Sequence, residues 1–134
     1  FMAFHPADTY LDGVTLLIDK PLEWTSFDVV NKIKTTLKHH LGIRKIKVGH
    51  AGTLDPLATG LVIVCTGKAT KQISQFQDME KQYDASIRLG ATTPSFDLET
   101  KVDATYPWEH ITDSKVEEIL RQYSGEMARQ GKNV

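Results

Sequence analysis

The sequence lacks the features by which several classes of protein are recognised. Cys65 is the only cysteine, so neither an intrachain disulfide nor a cysteine-based zinc site can form. No apolar run approaches the roughly 20 residues that a membrane span needs, and no basic stretch followed by an apolar one predicts a signal peptide. Internal repeats and low-complexity tracts are also absent. We therefore expect a globular protein in a reducing, cytoplasmic setting, without a membrane partner.

The composition is that of one ordinary globular domain. The chain has 134 residues, of which 40% are hydrophobic and 25% charged, and its formal net charge is −1. Residues 32–71 nevertheless carry eight basic residues and one acid, whereas residues 78–126 carry eleven acids and five bases. This asymmetry is typical of a surface for a polyanion, although a solvated basic helix and loop would also produce it. The eight basic residues are Lys32, Lys34, Lys38, Arg44, Lys45, Lys47, Lys68 and Lys71.

Periodicity and turn residues predict a mixture of strands and helices. Residues 1–12 show no periodicity and are expected to form a leader. The predicted strands are 13–19, 45–48, 61–66 and 82–90, and the predicted helices are 27–39, 69–79 and 112–123. Thr25 or Ser26 would cap the first helix, and Thr112 or Asp113 the last. Because the order shows no regular βαβ rhythm, it indicates the α+β class.

The least ordinary segment is GHAGTLDPLATG at residues 49–60, where three glycines and a proline preclude a regular element. It contains Asp55, the only acid of the basic stretch. An ionised carboxylate on a loop can serve as a nucleophile, a base or a metal ligand. Aspartate before proline is also common in turns without any function. Spacing alone leaves both interpretations open.

Two aromatic side chains are further candidates. His50 precedes Asp55 by five residues, and a flat ring beside a carboxylate and a basic strand can contact a nucleobase. A lone histidine on a loop is more often structural. Tyr83 stands near the start of a predicted strand, where a tyrosine is more often part of a core than of a catalytic site.

Residues 49–60 closely resemble the catalytic loop of TruB-type tRNA pseudouridine synthases. The flanking motifs agree with that family in order and spacing: DKP at 19–21, TS at 25–26, GKATK at 67–71, KQY at 81–83 and RLG at 88–90. Asp97 occupies the family's T-x-T-x-D position, although Pro94 and Ser95 replace parts of that pattern. The resemblance covers residues 13–103.

The resemblance implies a fold and a reaction. The fold would be that of pseudouridine synthases, an α+β fold with a mixed, mainly antiparallel sheet and flanking helices. The reaction would convert the uridine at position 55 in the T loop of tRNA into pseudouridine on a flipped-out base. An aspartate nucleophile would carry it, with no metal and no organic cofactor. The partner would be the T arm of tRNA, and the enzyme a monomer.

The resemblance also implies the site residues. Asp55 would be the catalytic aspartate, Tyr83 would stack on the uridine and take part in proton transfer, and His50 would contact the flipped base. Supporting residues would be Lys20, Gly52, Thr53 and Leu54. Phosphate contacts are expected from four members of the basic stretch, namely Lys45, Lys47, Lys68 and Lys71.

In this interpretation residues 13–134 form the first half of a catalytic domain. A segment of the family's pattern is missing between Glu126 and Met127, and the second half of the domain and an RNA-binding tail domain have no counterpart. Two alternatives stay open. One is a non-catalytic module that binds RNA and loosens the T arm, and the other is a guide-RNA-dependent pseudouridine synthase, which shares this loop. A binding module has no need of one carboxylate among cations that face phosphate, which favours an enzyme.

Overall fold

The computed structural model describes residues 4–125, which fall into two compact units, residues 4–82 and residues 83–125. The first unit contains, in chain order, α1 (Ala7–Asp12), β1 (Thr15–Lys20), α2 (Ser26–Leu41), β2 (Val48–Ala51), β3 (Gly60–Thr66), a 3₁₀ helix (Gly67–Gln72) and α3 (Ile73–Gln77). The second contains β4 (Ala91–Thr92), β5 (Ala104–Thr105) and α4 (Asp113–Gln122). Helices with small antiparallel sheets confirm the α+β class. Across residues 4–125, no helix has the length and apolar character to cross a bilayer.

An antiparallel sheet of three strands, in the order β1-β3-β2, lies at the centre of the first unit. Leu16 of β1 and His50 of β2 both lie opposite Val64 of β3. Directly opposed residues of an antiparallel sheet point to the same face, so these side chains share one face. On that face Val29 of α2 packs against Val62 and Val64, which are fully buried. The core therefore lies between α2 and the sheet.

Helix α2 begins as its sequence predicts. Thr25 is the N-cap, and its Oγ1 accepts a hydrogen bond from the N–H of Asp28 at 2.9 Å. The carboxylate of Asp28 accepts one from the N–H of Thr25 at 2.9 Å, which completes a capping box. Gly42 ends the helix in the left-handed conformation, with φ of 66°. Phe27, the second residue of the helix, is 64% exposed, and the buried apolar face comprises Val29, Val30 and Leu37.

Residues 7–12 form a helix, although this part of the sequence shows no periodicity, and the expectation of a leader stays a prediction. Helix α1 has six residues, which is less than two turns and too short to show a helical repeat. Contacts from distant residues hold it in place. Tyr10 is buried in a cluster with Leu37 and Ile43, and Thr66 Oγ1 donates to the C=O of Tyr10 at 2.8 Å.

Two other predicted elements are displaced. The strand predicted for residues 45–48 begins only at Val48 and continues to Ala51, because pairing with β3 starts at Val48 opposite Thr66. The helix predicted for residues 69–79 begins as a 3₁₀ helix at Gly67 and is α-helical only over Ile73–Gln77. The strands predicted for 13–19 and 61–66 correspond to Thr15–Lys20 and Gly60–Thr66.

The second unit is smaller. Ala91 pairs with Thr105 and Thr92 with Ala104, and Thr112 caps α4 by accepting from the N–H of Lys115 at 3.2 Å, as predicted. The strand predicted for residues 82–90 was wrong, because residues 80–88 have no regular secondary structure and are exposed. Alternation specifies two faces, but a strand also needs a partner for its backbone N–H and C=O groups. Within residues 4–125 no strand supplies that partner.

Candidate functional site

Residues 52–59 connect β2 to β3, and we call them the Asp55 loop. Asp55 lies at its centre and is exposed to solvent. The N–H of Ala58 donates to the C=O of Asp55 at 2.9 Å and closes a turn. Among residues 4–125 the Asp55 carboxylate has no hydrogen-bond or ion-pair partner. It is therefore free to meet an external group, and its position depends on how the backbone on either side is held.

Lys20, the last residue of β1, holds the backbone after Asp55. Its side chain is 0% exposed, and its Nζ donates to the C=O groups of Trp24, Pro21 and Pro56 at 2.6, 2.9 and 3.4 Å. The N–H of Glu23 also donates to the C=O of Pro56, at 2.7 Å. A buried ammonium is tolerated only where its donors are used. These bonds give the predicted supporting role of Lys20 a physical basis, and that role remains a prediction.

Ser26 holds the backbone before Asp55. It is the first residue of α2 and only 3% exposed. Its Oγ accepts from the N–H of Leu54 at 3.0 Å and donates to the C=O of Leu54 at 3.4 Å. The side chain of Leu54 packs against the core cluster of Val29, Val62 and Val64. Leu54, predicted as a supporting residue, is thus anchored by its backbone and its side chain.

The other two predicted supporting residues lie where the chain leaves β2. Gly52 has φ of 78°, which is in the left-handed region that residues with a side chain rarely adopt. The turn out of β2 therefore favours glycine at this position. Thr53 is exposed and stands between Gly52 and the anchored Leu54.

His50 lies within β2 rather than on a loop as predicted, and is half-buried. Its Nδ1 is buried and has no hydrogen-bond partner among the described residues. A buried ring nitrogen without a partner is unfavourable in the protein alone. The structure therefore leaves a hydrogen-bonding group unused on the strand that leads into the Asp55 loop.

Tyr83 is the first residue of the second unit. It is 63% exposed and lies in the stretch without regular secondary structure. Tyr83 is therefore not part of a core in this structure, although a tyrosine near the start of a strand usually is. An exposed ring is available for stacking on a base, as the family resemblance implies.

Seven of the eight cations of the basic stretch fall into two groups, and Lys32 belongs to neither. In the first, the N–H of Gly67 donates to the C=O of Lys47 at 2.8 Å and so brings Lys47 beside Lys68. Lys71 follows on the same 3₁₀ helix, and Lys45 lies in the connection before β2. All four side chains are exposed, and none forms an ion pair within residues 4–125.

The second group lines a cleft of about 210 Å³ between the end of α2 and the connection that follows it. The cations in its wall are Lys34, Lys38 and Arg44, and the remaining lining residues are Thr35, Ile43 and Ile46. No carboxylate from residues 4–125 lines this cleft. The sequence places these three cations in the basic stretch, but only the fold shows that they line the same cleft.

These features allow a limited set of reactions. An exposed carboxylate without a partner, on a loop anchored at both sides, can attack a carbon atom or accept a proton. Among residues 4–125, no group of three His, Cys, Asp or Glu side chains could hold a metal ion. The absence of a metal or organic cofactor from the reaction stays a prediction.

Sequence reasoning missed the contact between Ser26 and Leu54. The sequence offers Ser26 as a helix cap and as part of the TS motif, and the structure gives the cap position to Thr25. No local signal identifies the contact, because its two residues are 28 positions apart. The expected gap between Glu126 and Met127 lies outside the described residues.

Comparison with known proteins agrees with the resemblance seen in the motifs. Residues 38–132 match a family model described as "TruB family pseudouridylate synthase (N terminal domain)". Among curated relatives, a protein of Phocaeicola vulgatus named tRNA pseudouridine synthase B is 62% identical over 116 residues, which cover 87% of this chain and 49% of the relative.

Other relatives with the same name are more distant. The Flavobacterium johnsoniae protein is 54% identical over 121 residues (90% of this chain, 53% of the relative), and the Chlorobium chlorochromatii protein is 47% identical over 118 residues (88% and 46%). The chain thus spans about half the length of the curated relatives it matches. Because the family model matches more than half of the chain, the chain belongs to the TruB family of pseudouridylate synthases.

Proposed function

We propose that the full-length protein containing this chain converts the uridine at position 55 in the T loop of tRNA into pseudouridine. The observation that carries the proposal is the Asp55 carboxylate, which is exposed, unpartnered among the described residues and held between two anchored residues in a TruB family member. The relatives' name, tRNA pseudouridine synthase B, supports the reaction class and the tRNA substrate.

The reaction is an isomerisation, so its atoms balance without a co-reactant. The N1–C1′ bond of uridine breaks, the uracil rotates, and a C5–C1′ bond forms. C5 loses its proton and N1 gains one, which leaves the composition unchanged. We assign Asp55 as the nucleophile that acts on the flipped-out uridine. Its carboxylate could attack C1′ or the base, and the position of the covalent adduct on the RNA distinguishes these two routes. Removal of the C2′ proton would instead make Asp55 a base, and would show as a slower reaction when C2′ carries deuterium.

Two other residues would hold the flipped uridine. A nucleotide taken out of its stack loses contacts that an aromatic side chain can replace. The exposed ring of Tyr83 would stack on the base, and its hydroxyl would move the proton. The unpartnered Nδ1 of His50 would gain a hydrogen bond when RNA is bound.

The basic residues would bind the phosphates of the T arm. Lys45, Lys47, Lys68 and Lys71 are exposed and lie at or near the strands that lead into and out of the Asp55 loop. The cleft of Lys34, Lys38 and Arg44 adds three cations, and no carboxylate of the described part of the chain lines it. A cytoplasmic location and a monomeric enzyme are part of the same proposal.

The proposal is tested by incubating the full-length protein with an unmodified tRNA transcript and mapping pseudouridine along it. We expect the product at position 55 and no product in a transcript whose position 55 is cytidine. Tritium at C5 of uridine supplies a second measurement, because the reaction must release one C5 hydrogen for each pseudouridine formed.

Each alternative function predicts a different result. Binding of the T arm with no pseudouridine anywhere in the transcript would favour a non-catalytic module and overturn the proposal. Product that appears only after a guide RNA is added would favour a guide-dependent synthase. Product at another uridine would support the reaction but overturn the assignment of position 55.

A further inference from the structure

We infer that Ser26 is a positioning residue, whose hydroxyl fixes the direction of the Asp55 carboxylate by binding both polar backbone groups of Leu54. This inference rests on the proposed function, because it concerns the residue that would react. Its geometric part, the restraint on Leu54, can be measured independently of any reaction.

The hydroxyl of Ser26 is not required by its own helix. Serine near a helix start usually serves as the cap, but here Thr25 and Asp28 complete a capping box with two bonds of 2.9 Å. Ser26 is nevertheless buried, and a buried hydroxyl is unfavourable unless it forms hydrogen bonds. Both of its bonds go to Leu54, 28 positions away.

The bonds restrain the peptide unit that leads into Asp55. The N–H of Leu54 donates to Ser26 Oγ at 3.0 Å, within the normal range for such bonds, and the bond back to the C=O of Leu54 is longer, at 3.4 Å. That C=O lies in the same rigid plane as the N–H of Asp55. Contact with both groups of Leu54 therefore limits rotation of the backbone immediately before Asp55.

The carboxylate depends on this restraint, because it has none of its own. Within residues 4–125 its oxygens bind no donor. On the other side of Asp55, the C=O of Pro56 is held by Glu23 and Lys20. Loss of the Ser26 bonds would leave Leu54 held by its side chain alone, so that its backbone, which leads into Asp55, could turn. A reacting group misplaced by about 1 Å can lose about 10²-fold in rate.

The test is the Ser26→Ala variant of the full-length protein, measured by single-turnover pseudouridine formation on saturating tRNA. We expect the rate constant to fall about 10- to 100-fold while the dissociation constant for tRNA stays within about twofold, since the change adds and removes no charge. Ser26→Thr keeps the hydroxyl and should recover most of the rate. A rate within twofold of wild type for Ser26→Ala would overturn the inference.

Thr66 supplies a matched control. It is also a fully buried hydroxyl, and it accepts from the N–H of Val14 at 3.1 Å and donates to the C=O of Tyr10 at 2.8 Å. Thr66→Val removes a similar pair of bonds away from the Asp55 loop. We expect it to lower stability as Ser26→Ala does but to leave the single-turnover rate of the folded protein unchanged. Equal rate losses in the two variants would mean that Ser26 acts only through stability.

Amide hydrogen exchange separates the inference from the proposed function. The N–H of Leu54 should be protected in wild type and in Thr66→Val, and exchange at least about tenfold faster in Ser26→Ala. Fast exchange of Leu54 in wild type would overturn the inference even for an active enzyme. Slow exchange in wild type, with no pseudouridine formed on any tRNA, would refute the proposed function but support the restraint of Leu54 by Ser26. If Ser26→Ala does not fold, Ser26→Cys takes its place, because a thiol forms weaker hydrogen bonds.

Discussion

The Asp55 loop and the exposed stretch at residues 80–88 both lack regular secondary structure, yet they are held in very different ways. The loop has no repeating pattern, but the buried Lys20 and Ser26 bind the residues on each side of Asp55. The stretch at 80–88 alternates apolar and polar residues as a strand does, yet its side chains are exposed. A regular sequence pattern therefore does not show that a segment is held in place. In the Asp55 loop, hydrogen bonds from buried side chains far along the chain hold the backbone. Each region carries one residue of the proposed reaction, Asp55 and Tyr83, and the predictions below use that contrast.

Asp55→Asn should have the largest effect. The amide has nearly the same volume as the carboxylate but is not a nucleophile, so we expect turnover of the full-length enzyme to fall by at least about 10⁴-fold. Affinity for tRNA should be unchanged or higher, because an anion has been removed from a surface that faces phosphate. Single-turnover kinetics and equilibrium binding of the same tRNA check both statements. Turnover within tenfold of wild type would remove Asp55 from the mechanism.

Variants of Tyr83 test whether an exposed residue outside regular secondary structure takes part in the reaction. If its hydroxyl moves a proton, Tyr83→Phe should bind tRNA normally and react about 10²- to 10⁴-fold more slowly. Tyr83→Leu also loses the ring, and should lose a further 1–3 kcal/mol or so of base-stacking energy. We expect Tyr83→Phe to react slowly, because we assign proton transfer to the hydroxyl. Wild-type turnover in Tyr83→Phe would show that only stacking matters.

The sequence predicts most of the elements but few of the contacts that position the site. Capping chemistry locates α2 and α4 from local residues, and the apolar run of β3 marks a buried strand. Helix α1 and the anchors of the Asp55 loop depend on partners far along the chain, such as Thr66 for Tyr10 and Ser26 for Leu54. Such pairs leave no periodic signal. Asp55 itself could be singled out because one acid among many bases is visible in the sequence alone.

Lys20 and Lys81 allow a direct comparison of the two regions in stability. Both ammonium groups donate to main-chain carbonyls, but Lys20 is 0% exposed whereas Lys81 lies in the exposed stretch. Lys20→Met keeps much of the apolar stem but removes the three hydrogen bonds of a buried ammonium to main-chain carbonyls, so we expect the free energy of unfolding to fall by about 1–3 kcal/mol. Lys81→Met should change it by less than about 0.5 kcal/mol. Urea denaturation of the full-length variants measures both, and equal effects would mean that Lys20 does not anchor the loop.

The smallest expected effect concerns the basic residues before β2. Reversal of Lys45 and Lys47 to Glu should remove one or two phosphate contacts, which weakens tRNA binding about 5- to 20-fold near physiological salt and flattens the slope of log K against log salt by about one to two units. The fold should survive, because both side chains are exposed and the bond between Lys47 and Gly67 uses the main chain. Reversal of Lys81 and Lys101, which are equally exposed but lie outside the basic stretch, makes the same change in charge. We expect this control to leave the slope nearly intact. Affinities at four or more salt concentrations distinguish the two variants, and equal slopes would mean that the tRNA is attracted by net charge rather than by contacts at Lys45 and Lys47.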